Sequence, residues 1–255
     1  MELLAKLTDG NVANFLLLFA RLSAVLTFFP FFGNNLINAQ SKAALAFFLT
    51  ILFFPVIPMT PFAMNFPDFM IAIIAEATLG LIASLFLEMI FAALSFGGET
   101  ISFAMGLTMA NAFDPVSGSS KPIVGQLISL LALLTLLALD FHHLILYFVA
   151  KSLEAIPLGG FVLTESVIQY LLKAFAHMIV IGFTLAFPIV GLILLSDVIF
   201  GMIMKTNPQF NLLAIGFPVK ITIAFAVLIT IIPAIMIRFE KEIRLAFNAL
   251  ELLFQ

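Results

Sequence analysis

The chain contains no cysteine and no tryptophan, and only Tyr147 and Tyr170 stand beside 31 phenylalanines. The missing cysteine excludes disulfides, thiol catalysis and thiolate metal sites. The missing tryptophan and scarce tyrosine remove the amphipathic rings that most spanning proteins place at both membrane interfaces. Charge is also scarce: Asp, Glu, Lys and Arg make up 10% of 255 residues, with a formal net charge of −3. Without basic clusters, that balance argues against nucleic acid or an anionic membrane surface as the main partner. The opening MELLAKLTDGN carries Glu2 and Asp9 and no small-residue cleavage site, so it does not read as a cleavable signal peptide.

What remains is apolar. Hydrophobic residues are 63% of the chain, where a soluble domain sits nearer about half. The chain belongs in a bilayer or in a complex that shields it as a bilayer would. Phenylalanine lacks a polar handle and packs rather than anchors. Its abundance fits surface meant for protein neighbours, and it equally fits composition drift in an ordinary membrane protein.

Candidate spans, judged against the roughly 20 apolar residues that cross a bilayer, are Asn14–Phe32, Ala43–Ile57, Phe69–Phe96, Ile123–Ala150, Leu171–Met204 and Ile221–Ile237. These predict an all-α fold of membrane-type helical hairpins. The third and fifth are long enough to be broken helices or tight hairpins. Pro30, Pro188 and Pro233 are expected to kink or stop helices, and Pro55–Pro67 to form a stiff extended link. RFEKEIRLAFNALELLFQ reads as an amphipathic helix continuing or following the last span. With six spans, Lys6, Lys151, Lys173, Arg238, Lys241 and Arg244 face one side against Lys42, Lys121, Lys205 and Lys220, a weak bias.

Arg21, Glu76, Glu88, Asp140 and Asp197 interrupt apolar runs. A charge at the bilayer centre costs about 2.5–3.5 kcal/mol even on lenient scales, so each is expected to pair or to face a polar interior. A polar path and interhelical pairing during assembly both fit. Asp140-Phe141-His142-His143 is the most enzyme-like group, with Asp140 and His143 at i,i+3 spacing. Its two imidazoles project about 100° apart on a helix, and only His177 remains as a further ring, short of a zinc set. His177 reads as a packed or hydrogen-bonded residue. No hydrolase, nucleotide-binding or metalloprotease motif is present, so no enzyme activity and no cofactor are expected.

Two polar segments remain. Met204–Lys220 holds Asn207 just before Pro208, and Gln209 and Asn211 between Pro208 and Pro218, with Lys205 and Lys220 framing it like gateposts; a reverse turn suffices to explain it. Gly97–Pro122, GGETISFAMGLTMANAFDPVSGSSKP, is too long for a turn and too apolar in its middle for a solvated loop. Gly97, Gly98, Gly106 and Gly118 permit sharp backbone. Met105 and Met109 are soft and adaptable. Non-helical backbone at membrane depth must be buried or line a cavity.

At these segments the chain resembles the FliR family of flagellar export-gate proteins, whose virulence-secretion relatives are the SctT proteins. The resemblance runs over nearly the whole chain. It is carried by FARLSAVLTFFPFFG with Arg21, Pro30 and Gly33, by EATLG with Glu76 and Gly80, and by GGETISFAMGLTMANAFDP. DFHHLILYFVAKSLEAIPLG follows, with Asp140, His142, His143, Ser152, Pro157 and Gly159. NPQFNLLAIGFPVK, with Pro208, Gln209, Asn211, Gly216, Pro218 and Lys220, is the most specific motif. Phe141 departs from the Gly usual there, and NNLINAQSK lacks the proline often found before the basic residue, here Lys42.

The resemblance implies a single export-gate domain, 1–255. Its first part, about 1–150, would be FliP-like, and about 160–255 would be a FliQ-like helical hairpin. It implies assembly with FliP-, FliQ- and FlhB-like subunits into a pore for unfolded flagellar proteins, in the bacterial inner membrane at the flagellar basal body. The assembled core would sit largely above the normal bilayer plane. It further implies that 97–122 is a pore plug, carried by Phe103, Met105, Gly106, Leu107, Thr108, Met109, Asn111, Phe113, Asp114 and Pro115. A competing class is an ion or small-molecule secondary transporter with Glu76, Asp140 and Asp197 as coupling groups.

Overall fold

The computed structural model describes residues 9–28, 37–57, 65–108, 122–207, 209 and 211–252. Seven α-helices account for most of them: α1 Asp9–Phe28, α2 Ala39–Phe53, α3 Phe66–Ala104, α4 Ile123–Ala138, α5 Phe141–Ala155, α6 Glu165–Thr206 and α7 Phe217–Leu252. A 3₁₀ turn, Phe54–Val56, follows α2, and a π-helical turn, Leu212–Gly216, precedes α7. No strand occurs among the described residues. The fold is all-α and of membrane type.

Four helical stretches are long and apolar enough to span a membrane by length and composition: Ala39–Val56, Phe66–Ala104, Glu165–Thr206 and Ala214–Leu250. Counting Ile123–Ala138 with His143–Ala155 as one broken span makes five. Among the described residues this is fewer than the six expected. The apolar part of α1, Val12–Thr27, is short for a span, and Phe29–Phe32 lie outside the described residues.

The breaks also differ from expectation. The third and fifth runs are unbroken helices of 39 and 42 residues. Pro188 and Pro233 sit inside α6 and α7 without ending them, as membrane helices tolerate. Pro55 lies in the 3₁₀ turn and Pro67 in the first turn of α3, where a missing N–H costs no helical bond; Pro58 and Pro61 lie outside the described residues. The helix that does break is the fourth. Asp140 adopts φ 56, a left-handed conformation that Asp tolerates better than most residues. The left-handed residue is therefore Asp140 and not Phe141, which frees Phe141 to begin α5. The last amphipathic segment continues α7 without interruption.

The chain divides into two compact units. The first comprises Met1–Met89, Asp140–Ala174 and Ile243–Gln255. In it, Phe15 meets Phe47 and Phe54 edge-on at 5.8 and 5.5 Å, locking α1 to α2. Asn38 caps α2 by accepting the Gln40 N–H at 3.2 Å, so the helix start is set without the absent proline. Phe141 is buried, stacks on Phe247 at 6.3 Å and lies under Arg244 at 5.1 Å.

The second unit comprises Ile90–Leu139 and Phe175–Glu242. Gly97 and Gly98 were expected to bend the backbone, but both lie within α3 and serve close packing instead. A Cβ on Gly98 would stand 2.5 Å from the Gly125 Cα of α4, and one on Gly97 would stand 2.9 Å from the Gly182 oxygen of α6. Adjacent glycines thus seat two different helices against α3. Phe96 with Phe183, and Phe91 with Phe239, each at 5.1 Å and edge-on, extend that packing.

Replacing Gly98 by valine forces α3 and α4 apart, because the obstacle is backbone rather than a movable side chain. The expected loss is about 1–3 kcal/mol, the usual cost of overpacking, read as a lower melting temperature of the detergent-solubilised protein. Ala83→Gly, which introduces no bulk, is not expected to reproduce that separation in a distance measurement between spin labels on α3 and α4.

Candidate functional site

The sequence motifs of the first unit converge on one buried cluster. Arg21 of α1 and Glu76 of α3 are both fully buried. The guanidinium meets the carboxylate in bidentate fashion, Nε to Oε2 and Nη2 to Oε1, the latter at 3.0 Å. Nη1 donates to the Ser152 carbonyl at 3.0 Å and to Ser152 Oγ at 3.3 Å, and Nη2 also donates to the Ile156 carbonyl at 3.2 Å. A guanidinium has five N–H donors, and each has an acceptor here. Glu76 Oε1 additionally accepts the Gly159 N–H at 2.6 Å.

Local structure makes this possible. Gly80 lies one turn beyond Glu76 on the same face, and a Cβ there would stand 2.7 Å from Ala24 Cβ and 2.9 Å from the Arg21 oxygen. Its lack of a side chain lets α1 and α3 approach closely enough for the pair. Gly159 has φ 77, which aims its N–H at the carboxylate at little backbone cost. The five charges expected to be buried divide accordingly. Arg21 and Glu76 are enclosed, whereas Glu88, Asp140 and Asp197 are exposed on this chain. Glu88 falls on an outward face of α3, and Asp140 on the exposed break before α5.

In the second unit, the glycine-rich segment begins later than expected. Gly97–Ala104 is helical, and the helix ends in a Schellman turn: Leu107 N–H to Ser102 O at 3.1 Å and Gly106 N–H to Phe103 O at 3.0 Å, with Gly106 at φ 79. Met105 is fully buried, while Phe103 on the same turn is 75% exposed. Met105 is therefore a core residue of its own chain and not a free sealing side chain. Leu107 and Thr108 are half-buried. Met109, Asn111, Phe113, Asp114 and Pro115 lie outside the described residues. Among the described residues, Ser102 Oγ is buried with no hydrogen-bond partner.

Before α7, the Asn207 side chain accepts the Gln209 N–H at 3.3 Å, and Asn211 accepts the Ala214 N–H at 3.2 Å. These side chains satisfy turn backbone as their type predicts. Gly216 is buried and Pro218 exposed; Pro208 lies outside the described residues. Lys205 and Lys220 do not form matching gateposts. Lys205 is exposed, whereas Lys220 is buried and pairs with Asp197 of α6. Sequence reasoning treated these two charges separately. Their shared signal is that each stands alone in an apolar run, on helices joined by one short connection. His177 is hydrogen-bonded, as expected: its Nε2 lies 3.1 Å from Glu242 Oε2, and Arg238 holds Glu242 Oε1 at 2.7 Å.

The family model for bacterial export proteins, family 1, matches residues 12–246. Among curated proteins, the chain is similar to the flagellar biosynthetic protein FliR of Bacillus subtilis strain 168. The two are 34% identical over 217 residues, 83% of each chain. It is also similar to proteins of that name from Pectobacterium carotovorum, 28% identical over 83% of this chain and 81% of that one, and from Escherichia coli K12, 26% identical over 80% and 78%.

Breaking the buried pair from one side leaves a charge without a partner. Arg21→Met or Glu76→Met alone is expected to cost about 3–5 kcal/mol, seen as loss of protease resistance in membranes. The double variant removes both charges and should lose less than the sum of the single variants, a non-additivity that a double-mutant cycle measures.

Proposed function

The chain belongs to the bacterial export proteins, family 1, with the FliR flagellar biosynthetic proteins, and from that premise we propose that it is a pore-forming subunit of the flagellar export gate. Its membership makes it a membrane component of flagellar protein export. In the finer reading, it joins FliP- and FliQ-like subunits, with an FlhB-like subunit associated, in the inner membrane at the basal body. Unfolded flagellar proteins pass through the assembly.

The observation that carries this reading is the mismatch between helix length and bilayer. Helices α3, α6 and α7 have 39, 42 and 36 residues, hence lengths of about 54–63 Å at 1.5 Å per residue. The hydrocarbon core is about 30 Å thick. Much of each helix therefore extends past lipid, yet apolar side chains stay exposed along α6 from Ile168 and Leu172 through Phe187 to Val198 and Met202, about 51 Å at 1.5 Å per residue. Apolar surface of that extent calls for protein neighbours, and the absence of tryptophan fits surface not designed for a lipid interface. The transporter reading has less support: Glu76 is fully engaged by Arg21, Ser152 and Gly159 hold its surroundings, and Asp197 is paired with Lys220.

Within the gate, the segment after Gly106 acts as the plug, with α3 and the Schellman turn as its stem. Co-purification with FliP- and FliQ-like subunits tests the assembly; a stable detergent monomer with no affinity for them overturns it. Deleting Thr108–Asn111, which spares buried Met105 and the cap at Gly106, is expected to leave the complex assembled and raise ion leakage across the membrane. An assembled deletion complex as tight as the parent removes the plug assignment.

A further inference from the structure

The two tyrosines of the chain stand on either side of one connection. Tyr147 of α5 and Tyr170 of α6 are both exposed. Each has a lysine ammonium over its ring, 5.8 Å from the centre: Lys151 one turn after Tyr147, and Lys173 one turn after Tyr170. That is a cation–π distance. At 1.5 Å per residue, these four residues lie within about 12 Å of the helix ends joined by 156–164. The connection between them is not a plain solvated loop, because Val162 and Leu163 at its tip are apolar and exposed. Beside that tip the surface is polar. Thr164 Oγ1 lies 2.7 Å from Ser166 Oγ, the Gln169 amide donates to Glu165 at 3.1 Å, and Lys151 donates to Glu154 at 3.2 Å. Further along α6 the exposed surface turns apolar at Ile168 and Leu172.

We propose that this end of α5 and α6 lies in the interfacial layer of a phospholipid bilayer, with the Lys151 and Lys173 ammonium groups against lipid phosphates and the tyrosine rings at the level of the ester groups. The layer between hydrocarbon and water is about 5–8 Å thick on each side. Tyrosine suits it because the ring is apolar in body and polar at the tip. Lysine suits it because the stem lies along apolar surface while the ammonium reaches the polar side. Helix α6 is long and apolar enough to span, and α5 is half of the broken span, so both helices have reason to end at such a layer. Between Tyr147 and Lys173 the charges are Lys151, Glu154, Glu165 and Lys173, two of each sign. That balance matches a zwitterionic headgroup such as phosphatidylethanolamine, whereas acidic lipids select basic clusters. A protein neighbour fits less well, because the centre of a protein contact is depleted of charge. The proposal is independent of the gate reading, and it leaves to protein neighbours the apolar surface of α6 that runs beyond one bilayer thickness.

The test uses the full chain assembled in cell membranes. Benzoylphenylalanine, a photoreactive residue close to tyrosine in shape, replaces Tyr147, Tyr170 or Val162 one at a time. The Val162 position keeps both tyrosines. Irradiation is expected to add the mass of one phospholipid to this chain at each position, with the new bond on the glycerol or the near half of an acyl chain. A crosslink to another protein at the tyrosine positions overturns the proposal. So does a bond to the terminal half of an acyl chain, which places the ring deep in hydrocarbon, and so does an accumulated chain that captures no lipid. If the tyrosine variants fail to accumulate, Val162 decides by the same criteria. Lys151→Glu combined with Lys173→Glu sets carboxylates against the phosphates and is expected to lower the phospholipid adduct at Val162 several-fold; an unchanged yield overturns the phosphate contact.

Discussion

The enclosed Arg21–Glu76 pair is the constraint on which the first unit depends. Two opposite charges taken out of water recover their desolvation cost only with close geometry and full satisfaction of the remaining donors and acceptors. Here that requirement reaches across the sequence. Arg21 brings α1, Glu76 brings α3, Ser152 and the Ile156 carbonyl bring the end of α5, and Gly159 brings the turn beyond it. None of these groups satisfies the pair alone. A register slip on α3 would leave both ions enclosed and unpaired, which ties the pair to one packing of these elements.

The glycines follow from that packing. Gly80 is small because Arg21 must come near Glu76, and Gly159 is left-handed because its N–H must reach the same carboxylate. In the second unit the logic is different and apolar. Gly97 and Gly98 allow two helices to seat on α3 at van der Waals distance, where dispersion rather than charge holds them. Small residues at helix contacts are what membrane-type packing favours, because lipid supplies little hydrophobic drive between helices.

Helical content and the positions of the helices were legible because long apolar runs admit few other structures at membrane depth. Less legible was where helices break. Pro188 and Pro233 carried the strongest breaking signal, yet α6 and α7 run through them. The break falls at Asp140, whose left-handed backbone has only a weak propensity signal. Gly97–Gly98 misled in the same way, since a glycine pair reads identically whether it bends a chain or lets another helix approach. The clamp was half legible. Arg21 and Glu76 announced themselves as charges in apolar runs, but Ser152 and Gly159 were marked only by resemblance, because their contribution comes through a hydroxyl, a carbonyl and a backbone N–H. Glu88, Asp140 and Asp197 gave the same charge signal and are exposed, since one-dimensional spacing does not say which face of a helix turns outward.

The Arg21–Glu76 and Lys220–Asp197 ion pairs differ in how far they are enclosed. Arg21–Glu76 is enclosed on both sides and saturated with hydrogen bonds, so any displacement exposes an unpaired group to apolar surroundings. Lys220–Asp197 has one partner at the surface, and water can replace the contact on that side at modest cost. Along the glycine-rich segment the same division appears within two residues: Met105 is packed inside while Phe103 points outward. Met105 thus belongs to the core, whereas Phe103 offers an apolar ring to its surroundings. The softness that first drew attention to methionine in this segment therefore serves, at position 105, to fill the core beneath the turn.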